Sequence, residues 1–327
     1  MAGKLLRLEH RPYNPSELRQ IADGLGQSYK RASQNILREL ARGDLTDWGA
    51  AFRKQQLEQI RGILSGLNDE TRRWAEANLP TLYSRGLWVS DGMLQPGGLS
   101  VAAHPGQYTP MDLGMVRIHN EAIRALAEEI ILPLDKANTQ AAQYTADMVA
   151  RAQVIAKLAD ERVSFDDVNG ILMQARKLVG TGGASGAFVK QLQIRDASLR
   201  AMVQALAEGK TRRAASGVLL SELRERGIVS FIDKAGRSWN MDHYAEMNAR
   251  TIARRTQTTA TRLRTQECGY DLVTIIDHER ECPLCRPWEG QTVSLTGKTP
   301  GYPRMSTAEE QGYGHPSCCH AEAPVVQ

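Results

Sequence analysis

The stretch LVTIIDHERECPLC, residues 272–285, decides how the C-terminal end of this chain folds. Leu272-Val-Thr-Ile-Ile276 is a β-branched run of strand length. Cys282-Pro-Leu-Cys285 follows, and two thiolates at this spacing in a tight turn converge on one metal ion. A matching half stands further on in His315-Pro-Ser-Cys-Cys-His320, which offers imidazole and thiolate donors after a loop rich in glycine and proline. Zinc accepts four such donors as a tetrahedron, so the pattern predicts a module over about 271–322 closed by a structural zinc ion.

Cys282, Cys285 and Cys318 are the first three expected ligands, and the fourth position lies open between His315 and His320. Cys319 reads as a bystander. The 30 positions from Cys285 to His315 exceed the roughly 15–20 of a compact zinc ribbon, which points to a loop closed by the metal. The competing reading is a set of buried thiols that act as small hydrophobes beside surface histidines. All five cysteines follow residue 267, a distribution unlike a disulfide framework.

Catalytic zinc fails on residue order. His278-Glu279 begins like a metalloprotease helix, but Cys282 stands where the second histidine is required. The zinc-deaminase pattern fails too, because Arg280 occupies its glutamate position and Pro283 lies inside the cysteine pair. His278 reads as a turn residue or as a group orienting a ligand. His104, His119 and His243 have no cysteine or second histidine nearby in sequence and read as surface or satisfied histidines.

Upstream of the strand a helix is expected over about Met241–Glu267, preceded by a hairpin across Phe231–Trp239 with turn residues at its centre. Helices over about 195–207 and 214–226 complete an α+β domain spanning 191–327. The glycine-rich run around Gly180–Gly186 marks a hinge, placed at 181–190. Residues 1–180 read as a helical domain. Its first helix starts at Asn14-Pro15-Ser16-Glu17, where Asn14 caps, Pro15 suits the first turn and Glu17 reaches back. Leu18, Ile21, Leu25, Tyr29, Ala32, Ile36 and Leu40 then form one apolar stripe until Gly43.

A second helical stretch, about Thr46–Leu79, is expected to close at Pro80. The turn-rich segment at about 90–112 reads as an extended loop or arm. A long bent helix over about Leu113–Arg162 kinks near Pro133, and Ser164 is placed to cap a shorter helix ending near Val179. The fold class is therefore mainly α, α+β overall.

At 327 residues, 42 % hydrophobic and 24 % charged, the composition fits two ordinary globular domains. The most apolar run, EIILPL at 129–134, is far below the roughly 20 residues a membrane span needs. The N-terminal residues lack the apolar stretch of a signal peptide. Net charge is +4, which permits an acidic partner without requiring one. Arg250, Arg254, Arg255, Arg262 and Arg264 cluster on one expected helix, with Lys210, Arg212 and Arg213 upstream. They could contact DNA phosphate without reading bases, and the competing reading is a solvated helix face.

Several blocks in order, Phe231-x-Asp-Lys-x-Gly-Arg-x-Trp239, Tyr244-Ala-Glu-Met247, Arg250-Thr251, Asp271-Leu-Val, His278, the Cys282–Cys285 pair, Trp288-Glu-Gly290 and His315-Pro-x-Cys-x-His320, resemble the phage minor capsid protein 2 family. The resemblance is strong over about residues 225–322 and extends only in general character to the helical first half. It implies a few-copy structural component of a tailed-phage head, distantly similar to the Mu F-like head-morphogenesis group. On that reading the chain is no enzyme, resides in the virion near the portal, and is in the host cytoplasm during assembly. It implies contacts with the portal protein and with major capsid or other head proteins, and a role in head morphogenesis and DNA packaging.

One departure is Cys319, which stands where the family usually has arginine. Two other function classes remain in view. One is an enzyme carried in the head, such as a nuclease or an ADP-ribosyltransferase-like effector, against which no P-loop or dinucleotide fingerprint is found. The other is a zinc-containing DNA-binding regulator, which would bind with sequence dependence rather than uniformly.

Overall fold

The computed structural model describes residues 11–94, 117–161, 164, 167–179, 186–226, 230–232, 238–276 and 282–326, those at 94, 186–196, 226, 230–232 and 238–239 by backbone alone. Its helices are α1 (Pro15–Leu40), α2 (Ala50–Leu94), α3 (Arg117–Asp160), α4 (Val168–Val179), α5 (Gly186–Ala207), α6 (Arg212–Arg226), α7 (Met241–Glu267) and α8 (Met305–Glu310). The strands are β1 (Ser230–Ile232), β2 (Ser238–Asn240), β3 (Leu272–Ile275), β4 (Thr292–Ser294) and β5 (Glu322–Val325). The chain is thus mainly helical with a small antiparallel sheet near its C-terminal end. None of these helices is long and apolar enough to cross a membrane.

Two compact units divide the chain: one comprises Met1–Leu25, Thr71–Pro133 and Ala245–Gln327, the other Gly26–Glu70 and Leu134–Tyr244. The Gly-rich run expected as a hinge lies outside the described residues at 180–185, and residues 186–190 are already helical in α5.

The start of α1 follows from its cap. Asn14 Oδ1 accepts the backbone N–H groups of Ser16 and Glu17 at 2.9 Å each, and Glu17 Oε2 accepts the Asn14 N–H at 2.7 Å. Donors that the first turn would leave unpaired are satisfied in both directions.

Two expected boundaries are corrected. Pro80 does not close α2, which runs through it to Leu94, and so residues 90–94 are helix where the arm was expected to begin; residues 95–116 lie outside the described ones. A proline inside a helix costs about 3 kcal/mol and removes one ladder hydrogen bond. Here Leu79, Leu82 and Tyr83 are all buried around it, and each such burial is worth about 1.5–3 kcal/mol, so packing outweighs the local defect. The cap of α4 is Asp167, whose Oδ1 accepts the Gly170 N–H at 3.0 Å, and not Ser164. The helix begins at Val168, which places Ser164 outside its first turn. As expected, α3 continues through Pro133 as one long helix.

In the first unit α2 and α7 meet closely. A Cβ built on Gly86 would stand 2.2 Å from the Gln257 carbonyl oxygen, so only glycine allows this approach. Thr261 Oγ1 donates to the Gly86 carbonyl at 3.1 Å, and Ser90 Oγ donates to that of Thr261 at 3.0 Å. Nearby, Tyr83 Oη lies 2.8 Å from His119 Nδ1, and His119 Nε2 lies 2.9 Å from Glu267. His119 is therefore a satisfied core histidine; His243 is exposed, and His104 and His278 lie outside the described residues.

The C-terminal sheet has the order β4-β3-β5, all antiparallel, with Val273 opposite Val293 and Pro324. Asp271 holds its β4 edge by accepting from Ser294 Oγ at 2.5 Å, Thr299 Oγ1 at 2.7 Å and the Thr296 N–H at 2.8 Å. In the second unit β1 and β2 form the expected hairpin, its turn at 233–237 being outside the described residues. There Gln153 on α3 donates to the carbonyls of Leu45 and Trp48 at 3.1 and 3.0 Å, fixing the turn before α2.

Candidate metal centre

Cys282 and Cys285 bracket a tight turn behind β3. The Cys285 and Arg286 N–H groups donate to the Cys282 carbonyl at 3.1 and 2.9 Å, and Pro283 suits such a turn because it needs no N–H. Backbone N–H groups of Leu284 and Cys285 also point at the Cys282 sulfur. His315 to His320 form the second segment, just ahead of β5, where the Cys318 N–H donates to the His315 carbonyl at 2.9 Å.

The two segments meet beside a small apolar core that includes Val273, Ile275, Trp288, Val293 and Met305, with Cys285 and Cys318 inside it. Two groups of donor atoms result, Cys282/Cys285/His315 and Cys285/Cys318/His320, each with all its atoms within 4.8 Å of one another and with Cys285 common to both. Cys285 and Cys318 sulfurs are 3.7 Å apart, Cys282 sulfur is 2.9 Å from His315 Nε2, and Cys318 sulfur is 3.4 Å from His320 Nδ1. Two ligands on one tetrahedral zinc stand roughly 3.5–3.8 Å apart, from Zn–S near 2.3 Å and Zn–N near 2.0 Å. These Cys/His groups are positioned to hold a metal ion. Cys319 stands outside both groups.

The electrostatics point the same way. The Cys318 thiol, although burial pushes it up, is brought down to about 6 by hydrogen bonding from His320 and by the Arg254 charge. Cys282 is also lowered: burial raises it, and the backbone N–H groups and His315 outweigh that. Cys285 moves the other way, pushed up by burial and by its neighbour Cys318. With Cys285 ionised as well, the core would hold three thiolates, whose charge a divalent cation among them would compensate.

Groups around the donors were not legible in sequence. Glu289 Oε1 lies 2.6 Å from His320 Nε2, and His315 Nδ1 lies 2.7 Å from the Pro316 carbonyl oxygen. Arg254 Nε donates to the His320 carbonyl at 2.7 Å, and Thr251 Oγ1 accepts the Ser317 N–H at 3.0 Å. Both histidines thus have their second ring nitrogen tied down, as histidines that ligate metals do. The adjacency of Trp288-Glu-Gly290 to the first cysteine pair was visible, but only the fold shows that Glu289 faces His320.

The five arginines expected to line a phosphate face all lie on α7, each beside a carboxylate. Arg254 is buried and faces Glu322 at 3.8 Å, so it presents no surface for phosphate. Arg262 holds Glu322 and Glu309, Arg264 holds Asp91 and Glu267, Arg255 pairs with Glu129, and Arg250 lies 4.0 Å from Glu246. Arg262 is also raised well above its usual range, because the carboxylates of Glu322 and Glu309 outweigh its burial.

Residues 189–327 match the family model described as phage minor capsid protein 2. This segment contains α7, the three-stranded sheet and every donor of the candidate centre. No curated protein and no solved structure matches the chain.

Proposed function

From the match of residues 189–327 to the phage minor capsid protein 2 family, we propose that the chain is a structural, non-enzymatic component of a tailed-phage head. Its place in the virion is beside the portal, in contact with the portal protein and other head proteins during head morphogenesis. The observation that carries this reading is the family match, and the donor cluster lying wholly within the matched segment extends it to a metal-dependent fold.

The ion is zinc, held by Cys282, Cys285, Cys318 and a histidine. Three sulfurs and an imidazole suit a borderline-soft ion with no geometric preference of its own, and a closed four-ligand set is a structural site. Such an ion contributes folding free energy to a sheet of three short strands that buries little surface by itself. The donors span both segments that flank the sheet, so the ion ties β3 to the chain ahead of β5.

Two measurements test this. Co-expressed with the portal and major capsid proteins of the phage that encodes it, the chain should sediment with assembled heads. Recovery only in the slow-sedimenting fraction would sink the head assignment. Metal analysis of the thiol-reduced, purified chain should give about one zinc per chain, and a folded preparation without metal would sink the zinc assignment.

A further inference from the structure

The centre offers five donors to an ion that takes four, and the geometry points to His315, not His320, as the fourth ligand. We propose that the ion is held by Cys282, Cys285, His315 and Cys318, and that His320 is a positioning residue outside the coordination sphere. This assignment rests on the metal reading above and goes beyond it.

Two observations carry the choice. First, the two segments make the same turn. In each, the carbonyl of the leading donor accepts the N–H three positions on: Cys285 to Cys282 at 3.1 Å, and Cys318 to His315 at 2.9 Å. A pair of equivalent turns presents its leading and trailing side chains to a common point, as the cysteine pair does. Cys318-x-His320 has no such turn, because the chain there straightens toward β5.

Second, Ser317, inside the second turn, holds φ at 69°, the one non-glycine residue among those described with a positive φ. That conformation costs roughly 1–3 kcal/mol and persists only where the surroundings impose it. Here Thr251 on α7 accepts the Ser317 N–H at 3.0 Å and pins the turn that links His315 to Cys318. Strain retained between two donors is accounted for if both of them ligate.

The two imidazoles are held alike, each with one ring nitrogen against an oxygen and the other beside a cysteine sulfur. His315 donates Nδ1–H to the Pro316 carbonyl at 2.7 Å, which turns Nε2 toward the Cys282 sulfur, 2.9 Å away. His320 is buried and braced at three points: Nε2 against Glu289 at 2.6 Å, its carbonyl on Arg254 at 2.7 Å, and Nδ1 beside the Cys318 sulfur at 3.4 Å. In this assignment the ring orients Cys318 by hydrogen bonding to its sulfur.

The test is direct. The full chain, labelled with 15N-histidine and loaded with 113Cd in place of zinc, should show scalar coupling between the metal and Nε2 of His315 only. Coupling to Nδ1 of His320 would overturn the assignment while leaving the metal site intact, whereas no bound cadmium would overturn the site as well. As a second readout, the His315→Cys variant should retain the ion and shift its 113Cd resonance toward an all-sulfur position. In the His320→Ala variant the mixed sulfur and nitrogen resonance should remain, with affinity lower by about 10–100-fold. An all-sulfur resonance in His320→Cys together with an unshifted one in His315→Cys would reverse the roles.

Discussion

Replacing Glu322 by glutamine keeps the side chain's shape and removes its charge, and its surroundings set the cost. The residue opens β5 and is buried. Arg262 donates to both of its carboxylate oxygens, at 2.7 and 2.6 Å, Tyr313 donates its hydroxyl at 2.9 Å, and Arg254 lies 3.8 Å away. Burial raises the carboxyl pKa, but the two arginines outweigh burial and bring it below its usual range, so the group is charged. In Glu322→Gln the amide N–H₂ would face guanidinium donors, and two cations would lose a shared counter-ion. Removing one partner of a buried pair costs about 3–5 kcal/mol. Arg262 keeps Glu309 at 2.7 Å and is one-quarter exposed, which moves the expectation to the lower end, about 3 kcal/mol.

With a urea slope of about 2 kcal/mol/M, that loss lowers the unfolding midpoint by about 1.5 M. Because the chain has two compact units, the transition is best followed by hydrogen exchange at the amides of β3 and β5, which report on the unit concerned. A midpoint shift below about 0.3 M at those amides would refute the inference that the buried carboxylate anchors the sheet to α7. Replacing both Glu322 and Arg262 by apolar residues should recover part of the loss, since the pair's net worth is small and the damage comes from leaving a charge behind.

Three further substitutions probe other joints of the fold. Gly86→Ala should destabilise by about 3 kcal/mol, since the new Cβ meets a carbonyl oxygen of α7 at 2.2 Å; an unchanged melting temperature would contradict the close approach. Asp271→Asn should cost about 1–3 kcal/mol at neutral pH, because its carboxylate closes the turn after β4. Burial raises the Asp271 pKa, but the three hydrogen bonds hold it at about 2, below the ordinary 3.8. Its contribution is therefore complete above about pH 4 and is lost as pH falls through about 2, so the variant should show a flatter stability profile there. Parallel profiles for the two proteins between pH 2 and pH 4 would exclude this role. Tyr83→Phe should cost about 1–3 kcal/mol by leaving His119 Nδ1 buried without its partner, and thermal unfolding within 1 °C of the parent would argue against that pairing.

Features encoded by local chemistry were legible in the sequence. The cap at Asn14 and Glu17 formed as its hydrogen bonds require, α7 spans Met241–Glu267, and β3 occupies the β-branched run at 272–275. The donor residues were legible because metal ligands come from a small set of residue types at constrained spacings. Their packing partners were not: only the fold shows that Glu289, Arg254 and Thr251 reach the centre. Pro80 misled for a related reason. A breaker signal is local, whereas the burial of Leu79, Leu82 and Tyr83 around it is decided by the rest of the unit.

Helix α7 shows most clearly why burial escaped the sequence. Its buried side includes Thr256, Gln257, Thr258, Thr261 and Thr265, none of which registers as a core residue when apolar periodicity is counted. Threonine can be buried at little cost when its hydroxyl donates back to the carbonyl four residues earlier, and Thr256, Thr258 and Thr265 do so at 2.8, 3.3 and 2.7 Å. Thr261 spends its hydroxyl on Gly86 instead, and Gln257 accepts the Tyr13 N–H at 3.0 Å. The arginines complete the pattern, since Arg254 and Arg262 reach the sheet through Glu322 where a phosphate-binding face would have turned them outward. An interface of this kind gains less from apolar transfer than from matched donors and acceptors, and any slip of α7 by one residue leaves several of them buried and unpaired. The helix therefore fixes one register for the turn at Ser317 and the carbonyl of His320, and with them the second half of the candidate metal centre.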